Sequence, residues 1–552
     1  MTSSAVQESN HENDGDEDSM PDTASVCSAF HREGSPYFGP VDYIGHPRPL
    51  LKWEELDNLL ASPPRFSTRV LILPFISCGF CRYPVGDPCG VRYELNEKDA
   101  SEGNKTCIWG FGPEEQLPAF SIVSGKILCT VYFDPAGDRL IITNTSLERI
   151  YCKRTHTGTT VDIPPNETGV VTPGEWELST NIDECQMRCK VLDRRCLIIR
   201  KELGSKRGAE DEDERISTKR TYGRAGTTLH RSVDTRGPLP TNPLLDMVRG
   251  ETIHLGIGNS SGTIKRLEPI YDRQLASSYK AEHSKIPGKF VVVKVIRPSS
   301  RRRESTVDAI ETWIREITIH SNLGAHYAIV PYLGSDARFG AIITEHIDAK
   351  PLVYHVKDEI FREFNGDIIR TWRILGDMAS ALSFLHARNI VHCDIQLLNI
   401  LFHPVRGAIL TSFGLSFEEG QKPLGNSLPW YLPPEFLEPG DPPSKATDMW
   451  ALGVVMMWVL GKIPQPETTK GWTAKDVRFI STKAPVRMEE WLSKVQAGND
   501  ELQIEVGISK LGNVSHEQEI AGIVWGLLNQ DKDDRLDAES LVERLAKFNL
   551  NE

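Results

Sequence analysis

The spacing of apolar and polar positions divides the chain into parts with different periods. Residues 1–40 are polar and show no apolar period, which predicts a disordered acidic tail. From about residue 66 to residue 178, short β-branched and apolar runs alternate with turn residues at intervals of about 8–12 residues, as in a β-sandwich. The predicted strands are residues 69–75, 127–133, 139–144 and 159–163.

A charged segment separates this β-rich part from a second unit. Residues 201–240 mix both charges with little apolar content, which predicts a linker. In the second unit, strand-like runs come first and helical patterns follow. Apolar residues recur at steps of three and four from Ile368 to Leu382, which predicts an amphipathic helix that ends near His386. We predict a multidomain chain divided into residues 1–40, 41–196, 197–243 and 244–549.

Composition and charge exclude several classes of function. The 552 residues carry a formal net charge of −13, so a nucleic-acid partner held by positive charge is not expected. The N-terminus lacks the basic start of a signal peptide, and the longest apolar run, residues 450–460, is too short to span a bilayer. We expect an intracellular protein, cytoplasmic or nuclear, without a membrane partner. The basic pairs Lys206-Arg207 and Lys219-Arg220 suit either nuclear import or a solvated linker, and we favour the linker.

The cysteines suggest either zinc ligands or core residues. Ten of the eleven lie at or before Cys196, in two clusters of three at residues 78–89 and 185–196 together with single positions. Six thiolates could serve structural zinc, but the clusters lie far apart in sequence and have no histidine at ligand spacing. Because cysteine is among the most often buried residues, we favour core positions.

Five separated features of the second unit suit phosphoryl transfer. In chain order they are a glycine-rich turn with Gly256, Gly258 and Gly262, then Lys294, Glu316, the Asp394–Asn399 segment, and Ser412-Phe413-Gly414. Glycines let backbone N–H groups approach phosphates, and a lysine held by a carboxylate supplies a cation. Asp394 suits the carboxylate beside the attacking hydroxyl, and Asn399 can offer oxygen to magnesium.

In this joint order, residues 244–549 resemble a protein kinase catalytic domain. The triplet begins 18 residues after Asp394, and Pro433-Pro434-Glu435 and a segment beginning at Asp448 follow it. These later elements distinguish the resemblance from small-molecule phosphotransferases. The resemblance implies a bilobal α+β fold that binds ATP.

The same resemblance assigns expected roles to further residues. It implies that Glu345 and Ile347 take part in nucleotide binding. It implies that Arg535 pairs with Glu435 as a structural clamp, and that Asp448 is also structural.

Departures from the family pattern decide the expected function. Where the family has a magnesium-binding aspartate, this chain has Ser412, whose neutral hydroxyl is a poor ligand for a hard cation. Gln396 replaces the lysine usual in serine/threonine kinases, and Cys393 replaces an arginine that pairs with a phosphate on the activation segment. Three residues instead of the usual two separate Gly258 from Gly262.

We therefore expect an ATP-binding regulatory domain with weakly held magnesium and weak or absent phosphoryl transfer. An active serine/threonine kinase is the alternative, with Asn399, water or another acid holding magnesium. A scaffold that binds no nucleotide is a third hypothesis. In each case we expect protein partners, bound through both the β-rich and the kinase-like units.

The β-rich region is similar in part to forkhead-associated modules, which bind phosphothreonine peptides. The similarity lies in residues 138–146 and 172–176. No Gly-Arg pair occurs near Arg82, however, and no histidine follows Ser124. We therefore favour a sandwich that packs on or docks to a partner over one that binds a phosphopeptide.

Overall fold

The computed structural model describes residues 68–192, 201–203 and 242–550. Within these ranges the description excludes residues 76–77, 84–88, 95–106, 113–118, 136, 182–184, 256–261, 273–275, 298–302, 358–361, 424, 426, 438–441, 467–473, 478–482 and 509–514. The predicted acidic tail, the basic pairs of the linker, Cys196, Gly256 and Gly258 therefore lie outside the described residues.

The N-terminal region contains two antiparallel sheets. Its strands are β1 (Val70–Pro74), β2 (Cys78–Arg82), β3 (Val91–Glu94), β4 (Cys107–Phe111), β5 (Ala119–Ser124), β6 (Ile127–Phe133), β7 (Leu140–Asn144), β8 (Ile150–Arg154), β9 (Thr160–Ile163), β10 (Thr168–Val171), β11 (Gly174–Ser179) and β12 (Met187–Val191). One sheet has the order β3-β4-β1-β12-β11-β8-β9 and the other β10-β7-β6-β5-β2. All four strands predicted for this region are present, with ends that differ by no more than one residue.

Both sheets contribute side chains to one hydrophobic core. Because side chains alternate along a strand, Cys129, Val131 and Phe133 of β6 point into this core while the residues between them face away. Phe111 of the seven-stranded sheet stacks on Phe120 of the five-stranded sheet, with 4.2 Å between ring centroids. The β-rich region is therefore built from two sheets around a shared interior.

Several of the described cysteines of this region belong to its core or pack against it. Cys129, Cys152 and Cys189 belong to the shared core, and burial raises the pKa of the Cys129 thiol to about 12. Among the described residues, no group of three or more His, Cys, Asp or Glu side chains is placed to hold a metal ion.

A second seven-stranded sheet opens the following unit. Its strands are β13 (Lys201–Leu203), β14 (Glu251–Leu255), β15 (Gly262–Asp272), β16 (Ala276–His283), β17 (Phe290–Ile296), β18 (Tyr332–Asp336) and β19 (Ala341–Glu345), in the order β13-β14-β15-β16-β17-β19-β18. Helix α1 (Arg303–Asn322) packs beside this sheet, where the Trp313 indole donates a hydrogen bond to the Ala341 carbonyl at 3.2 Å. Strand β13 stands where a linker was predicted; pairing with β14 satisfies backbone groups that an open sheet edge would expose.

The remainder of the chain is mainly helical. Its elements are β20 (Lys350–Pro351), α2 (Ile368–His386), β21 (Ile390–Val391), β22 (Ile400–His403), β23 (Gly407–Leu410), β24 (Phe417–Glu418), α3 (Lys445–Val459), α4 (Ala474–Val477), α5 (Ala484–Ile508), α6 (His516–Leu527) and α7 (Ala538–Leu550). Helix α2 ends at the predicted residue, and the Asp367 side chain caps its start by accepting from the Arg370 N–H at 2.8 Å. Among the described residues, no helix combines the length and apolar content needed to cross a membrane.

Asp448 of α3 fixes the segment that carries Asp394. Its carboxylate accepts hydrogen bonds from the backbone N–H groups of His392 and Cys393, each at 2.8 Å, and lies 3.1 Å from Nε2 of His386. Asp448 is 1% exposed, so these donors replace the water that the charge has lost. This side chain holds the Asp394 segment against the helical core.

A second buried charge joins the end of the chain to the segment before α3. Arg535 Nη1 and Nη2 lie 2.8 and 3.0 Å from the two oxygens of Glu435, which places together the two residues expected to form a clamp. The Arg535 side chain is fully buried and also donates to the carbonyls of Ala446 and Asn529. Its removal would leave Glu435 without its cation.

We expect Arg535→Ala to lower the free energy of unfolding by about 3–5 kcal/mol, because a largely buried carboxylate loses its partner. Chemical denaturation followed by circular dichroism measures the change. Lys547→Ala, which breaks the exposed pair of Lys547 and Glu543, is the control and should cost less than about 0.5 kcal/mol. Similar losses in the two variants would contradict the clamp.

Candidate active site

Lys294 of β17 and Glu316 of α1 form an ion pair at the centre of the site. The Lys294 Nζ atom lies 2.8 and 2.6 Å from the two carboxylate oxygens, and the Glu316 side chain is 5% exposed. Burial alone would lower the pKa of Lys294, but the Glu316 carboxylate outweighs burial and raises it overall. Lys294 is therefore a fixed, fully charged cation.

The local sequence explains why these two side chains meet. Along β17, Val291, Val293 and Val295 point into the core of the sheet, so Lys294 projects from the opposite face. On α1, Trp313 and Ile317 are buried in an apolar cluster that also contains residues of β17 and β19, which turns Glu316 toward the sheet.

The Ser412-Phe413-Gly414 triplet lies against this ion pair. Ser412 has left-handed backbone angles of φ 70° and ψ 77°, and Phe413 is fully buried, with ring centroids 4.5 Å from His320 and 5.0 Å from His392. A Cβ atom at Gly414 would lie 3.1 Å from Oε2 of Glu316, so glycine permits this close approach. The triplet is packed into the site.

Asp394 accepts hydrogen bonds at both carboxylate oxygens. Oδ1 accepts from the Gln396 amide at 2.6 Å and the Ser427 hydroxyl at 3.0 Å, and Oδ2 accepts from the Asn399 amide at 2.6 Å. Burial raises the pKa of Asp394 to about 6, because it outweighs these donors and the positive charge of Lys294. Asp394 is therefore close to its titration range at neutral pH.

Two of these contacts were not foreseen from the sequence. The Ser427 hydroxyl bonds to Asp394 across 33 residues of chain. The sequence indicated only that Gln396 replaces a cation, but the Gln396 amide also donates a hydrogen bond to Asp394. A local pattern contains no signal for either contact, since the loop conformation creates both.

The expected nucleotide-binding residues are placed in different ways. Gly262 begins β15, whereas Gly256 and Gly258 lie outside the described residues. The Glu345 carboxylate lies 3.3 Å from Arg406, and the Ile347 side chain is 5% exposed, packed with Val330 and Ile409. The Glu345 side chain is therefore occupied by an ion pair, and Ile347 faces an apolar cluster.

Cys393 replaces the arginine that the family pattern has at this position. It is 3% exposed, has φ 60°, and packs in an apolar cluster with Val391 and Phe417. Burial raises the pKa of its thiol, so the side chain is neutral. Cys393 fills a core position and offers no charge to a phosphate.

The donors near Ser412 fit nucleotide phosphates better than magnesium. Asn399 lies beside the triplet, because the Thr411 N–H donates to the Asn399 carbonyl at 2.9 Å. The Asn399 amide and the Ser412 hydroxyl are both neutral, whereas Mg²⁺ prefers carboxylate oxygen, so this donor set falls short for the ion. The Lys294 ammonium would contact phosphate oxygens of a bound nucleotide and balance their charge.

Comparison with known proteins identifies the family of the C-terminal part of the chain. Residues 274–545 match the family model described as "Protein kinase domain". Residues 274–545 form a protein kinase domain. A kinase domain implies use of ATP, with Mg²⁺ as the usual ion. The match begins at residue 274, so the forkhead-associated resemblance of the β-rich region stays a prediction.

Curated relatives include serine/threonine kinases. The chain is 31% identical over 179 residues to an Aurora kinase of Debaryomyces hansenii, across 31% of this chain and 42% of that protein. It is 29% identical over 188 residues to RAC-beta serine/threonine-protein kinase A of Xenopus laevis, across 33% and 37%. An Aurora kinase of Schizosaccharomyces pombe is 30% identical over 227 residues, across 40% and 60%. The chain thus spans less than two thirds of the length of these relatives.

The raised pKa of Asp394 predicts a pH-dependent contribution to stability. The folded kinase domain holds the Asp394 proton up to about pH 6, against the ordinary value of 3.8. The proton's stabilising effect is therefore complete below about pH 4 and lost as the pH rises through 6. Relative to Asp394→Ala, the wild type should lose about 1–3 kcal/mol of unfolding free energy between pH 4 and pH 7. Denaturation of both proteins at each pH tests this, and a constant difference would contradict it.

Proposed function

We propose that the kinase domain binds ATP and acts mainly as a regulatory domain, with weak or absent phosphoryl transfer. Two features of the site together support this proposal: a lysine held in place by a carboxylate, and an uncharged side chain where a magnesium-binding aspartate was expected. Lys294 is held by Glu316 at 2.6 Å, whereas Ser412 stands beside Asn399 without a negative charge. Binding of phosphates needs the first feature, and efficient transfer needs both.

The expected loss of transfer follows from electrostatics. Phosphoryl transfer involves little covalent chemistry for the protein, so positioning and charge supply nearly all of the rate enhancement. Removing one preorganised electrostatic contact typically costs 10²–10³ in rate, or about 3–4 kcal/mol. Both the expected aspartate and the expected lysine are absent, at Ser412 and Gln396, so two charges are missing.

A second candidate function is an active serine/threonine protein kinase. Three features favour it: the Lys294–Glu316 pair is formed, Phe413 is packed inside, and Asp394 is held in a defined position. The relatives named as serine/threonine kinases are consistent with this alternative. It requires magnesium to be held without the expected aspartate.

For the β-rich region we propose a β-sandwich domain that docks to protein partners. The two sheets around one core support this proposal. We further propose domain limits of 41–196 and 244–549 and an intracellular location, cytoplasmic or nuclear. A pull-down that compares residues 41–196 with the full chain would test the partner role.

One pair of measurements separates the candidate functions of the full-length protein. We expect ATP to raise its melting temperature, because Lys294 supplies a phosphate contact, while no phosphate is transferred to a generic protein substrate. Transfer that disappears in Asp394→Ala would establish the active kinase instead. No thermal shift up to millimolar ATP would favour a nucleotide-free scaffold.

Restoring the missing charge should strengthen the magnesium-dependent part of ATP binding. We expect Ser412→Asp to raise ATP affinity about tenfold in the presence of Mg²⁺, because a carboxylate becomes available to the ion. Ser412→Asn is the neutral control and should leave affinity close to the wild-type value. Titration with Mg²⁺ and with EDTA measures both, and an unchanged affinity for Ser412→Asp would refute this account of position 412.

A further inference from the structure

The outer face of the five-stranded sheet of the β-rich region packs against helix α1 of the kinase domain. Ala119, Tyr132 and Ile141 project from β5, β6 and β7 away from the core of their own region. Each is nevertheless at most 3% exposed, because all three share an apolar cluster with Ile310 and Ile314 of α1. The apolar face of this sheet is thus covered by the helix that carries Glu316.

A polar contact fixes the register of this packing. The Tyr132 hydroxyl donates a hydrogen bond to a carboxylate oxygen of Glu311, on α1. Tyr83 lies edge-on to Tyr132, with 5.9 Å between ring centroids, and also bonds to Glu311. The acceptor is half-buried, so both tyrosines replace water that Glu311 has lost.

A second contact lies at the edge of the same interface. A Cβ atom at Gly340, in the turn before β19, would lie 3.6 Å from Pro135 of the turn after β6. Ala337 of the same turn belongs to the apolar cluster that α1 shares with the β-rich region, so the turn borders this interface.

Helix α1 brings this interface close to the nucleotide site. Glu311 and Glu316 are five positions apart, about 140° around the helix, so one contacts the β-rich region while the other pairs with Lys294. Arg315, one turn after Glu311, donates to the Lys422 carbonyl at 2.9 Å, in the segment that follows the triplet. Movement of α1 would therefore change the ion pair and this segment together.

We propose that the β-rich region positions the nucleotide site within the same chain, by binding α1 through Glu311 and holding Glu316 against Lys294. Tyr132 and Glu311 are positioning residues, since they act through the helix. The expected effect on ATP affinity rests on the function proposed above, whereas the effect on α1 does not. Loss of the interface frees α1 to move and leaves Lys294 with a less constant partner.

Glu311→Ala in the full-length protein tests this proposal. Alanine has the higher helix propensity, so the substitution does not loosen α1 through intrinsic propensity. Because a hydrogen bond contributes about 0.5–1.5 kcal/mol net, we expect ATP affinity to fall about two- to tenfold. Amide hydrogen exchange within residues 303–322, measured without nucleotide, should become faster by a similar factor.

Two further variants complete the design. Asp308→Ala removes a different carboxylate, at an exposed position of α1, and should alter neither readout. Tyr132→Phe removes only the hydroxyl from the other side of the interface and should act in the same direction as Glu311→Ala.

The outcomes separate this proposal from the proposed function. Faster exchange in α1 with weaker ATP binding supports positioning by the β-rich region. Exchange in Glu311→Ala equal to that in Asp308→Ala overturns it, and so does faster exchange with unchanged ATP affinity. If the wild type binds no ATP, the proposed function fails, and the exchange comparison alone decides whether the β-rich region holds α1.

Discussion

The ion pair between Lys294 and Glu316 is the interaction on which the site depends, because it fixes a charged group of strand β17 against one of helix α1. The pair lies in a largely buried place, where separating the charges would cost several kilocalories per mole. The position of α1 therefore determines whether Lys294 keeps its carboxylate partner. The β-rich region packs on the other side of α1, so its contacts act on the position of the same helix.

The substitutions within the site form a consistent set when charges are counted. An expected anion is missing at Ser412, and expected cations are missing at Gln396 and Cys393. Gln396 still donates a hydrogen bond to Asp394, but a neutral amide stabilises a carboxylate less than an ammonium would. Burial raises the pKa of Asp394, and the hydrogen bond from Gln396 opposes this rise without cancelling it. The retained cation and the missing metal carboxylate are the two features from which we propose phosphate binding without efficient transfer.

Secondary structure that follows from a periodic pattern of apolar residues could be predicted from the sequence. Structure that depends on contacts between distant segments could not. Strand β6 and the end of α2 follow directly from alternation and from helical spacing. The spacing of motifs also identified Lys294 and Glu316, which the structure brings together. Strand β13 was missed because a three-residue segment with two charged side chains becomes a strand only when β14 offers a free edge. The partly apolar outer face of the five-stranded sheet gave no clue to its partner, since periodicity records burial but not what covers it.

The packing of Phe413 extends the influence of α1 beyond the ion pair. Its ring lies between His320 on α1 and His392 beside Asp394. Burial lowers the pKa of both histidines, that of His392 to about 4, so the contact is between neutral rings and does not change near pH 7. Because close-packed side chains transmit displacement, a shift of α1 would move Phe413 and, through His392, the backbone that Asp448 holds. The position of one helix thus affects both the cation proposed to bind phosphate and the carboxylate expected to face a substrate hydroxyl.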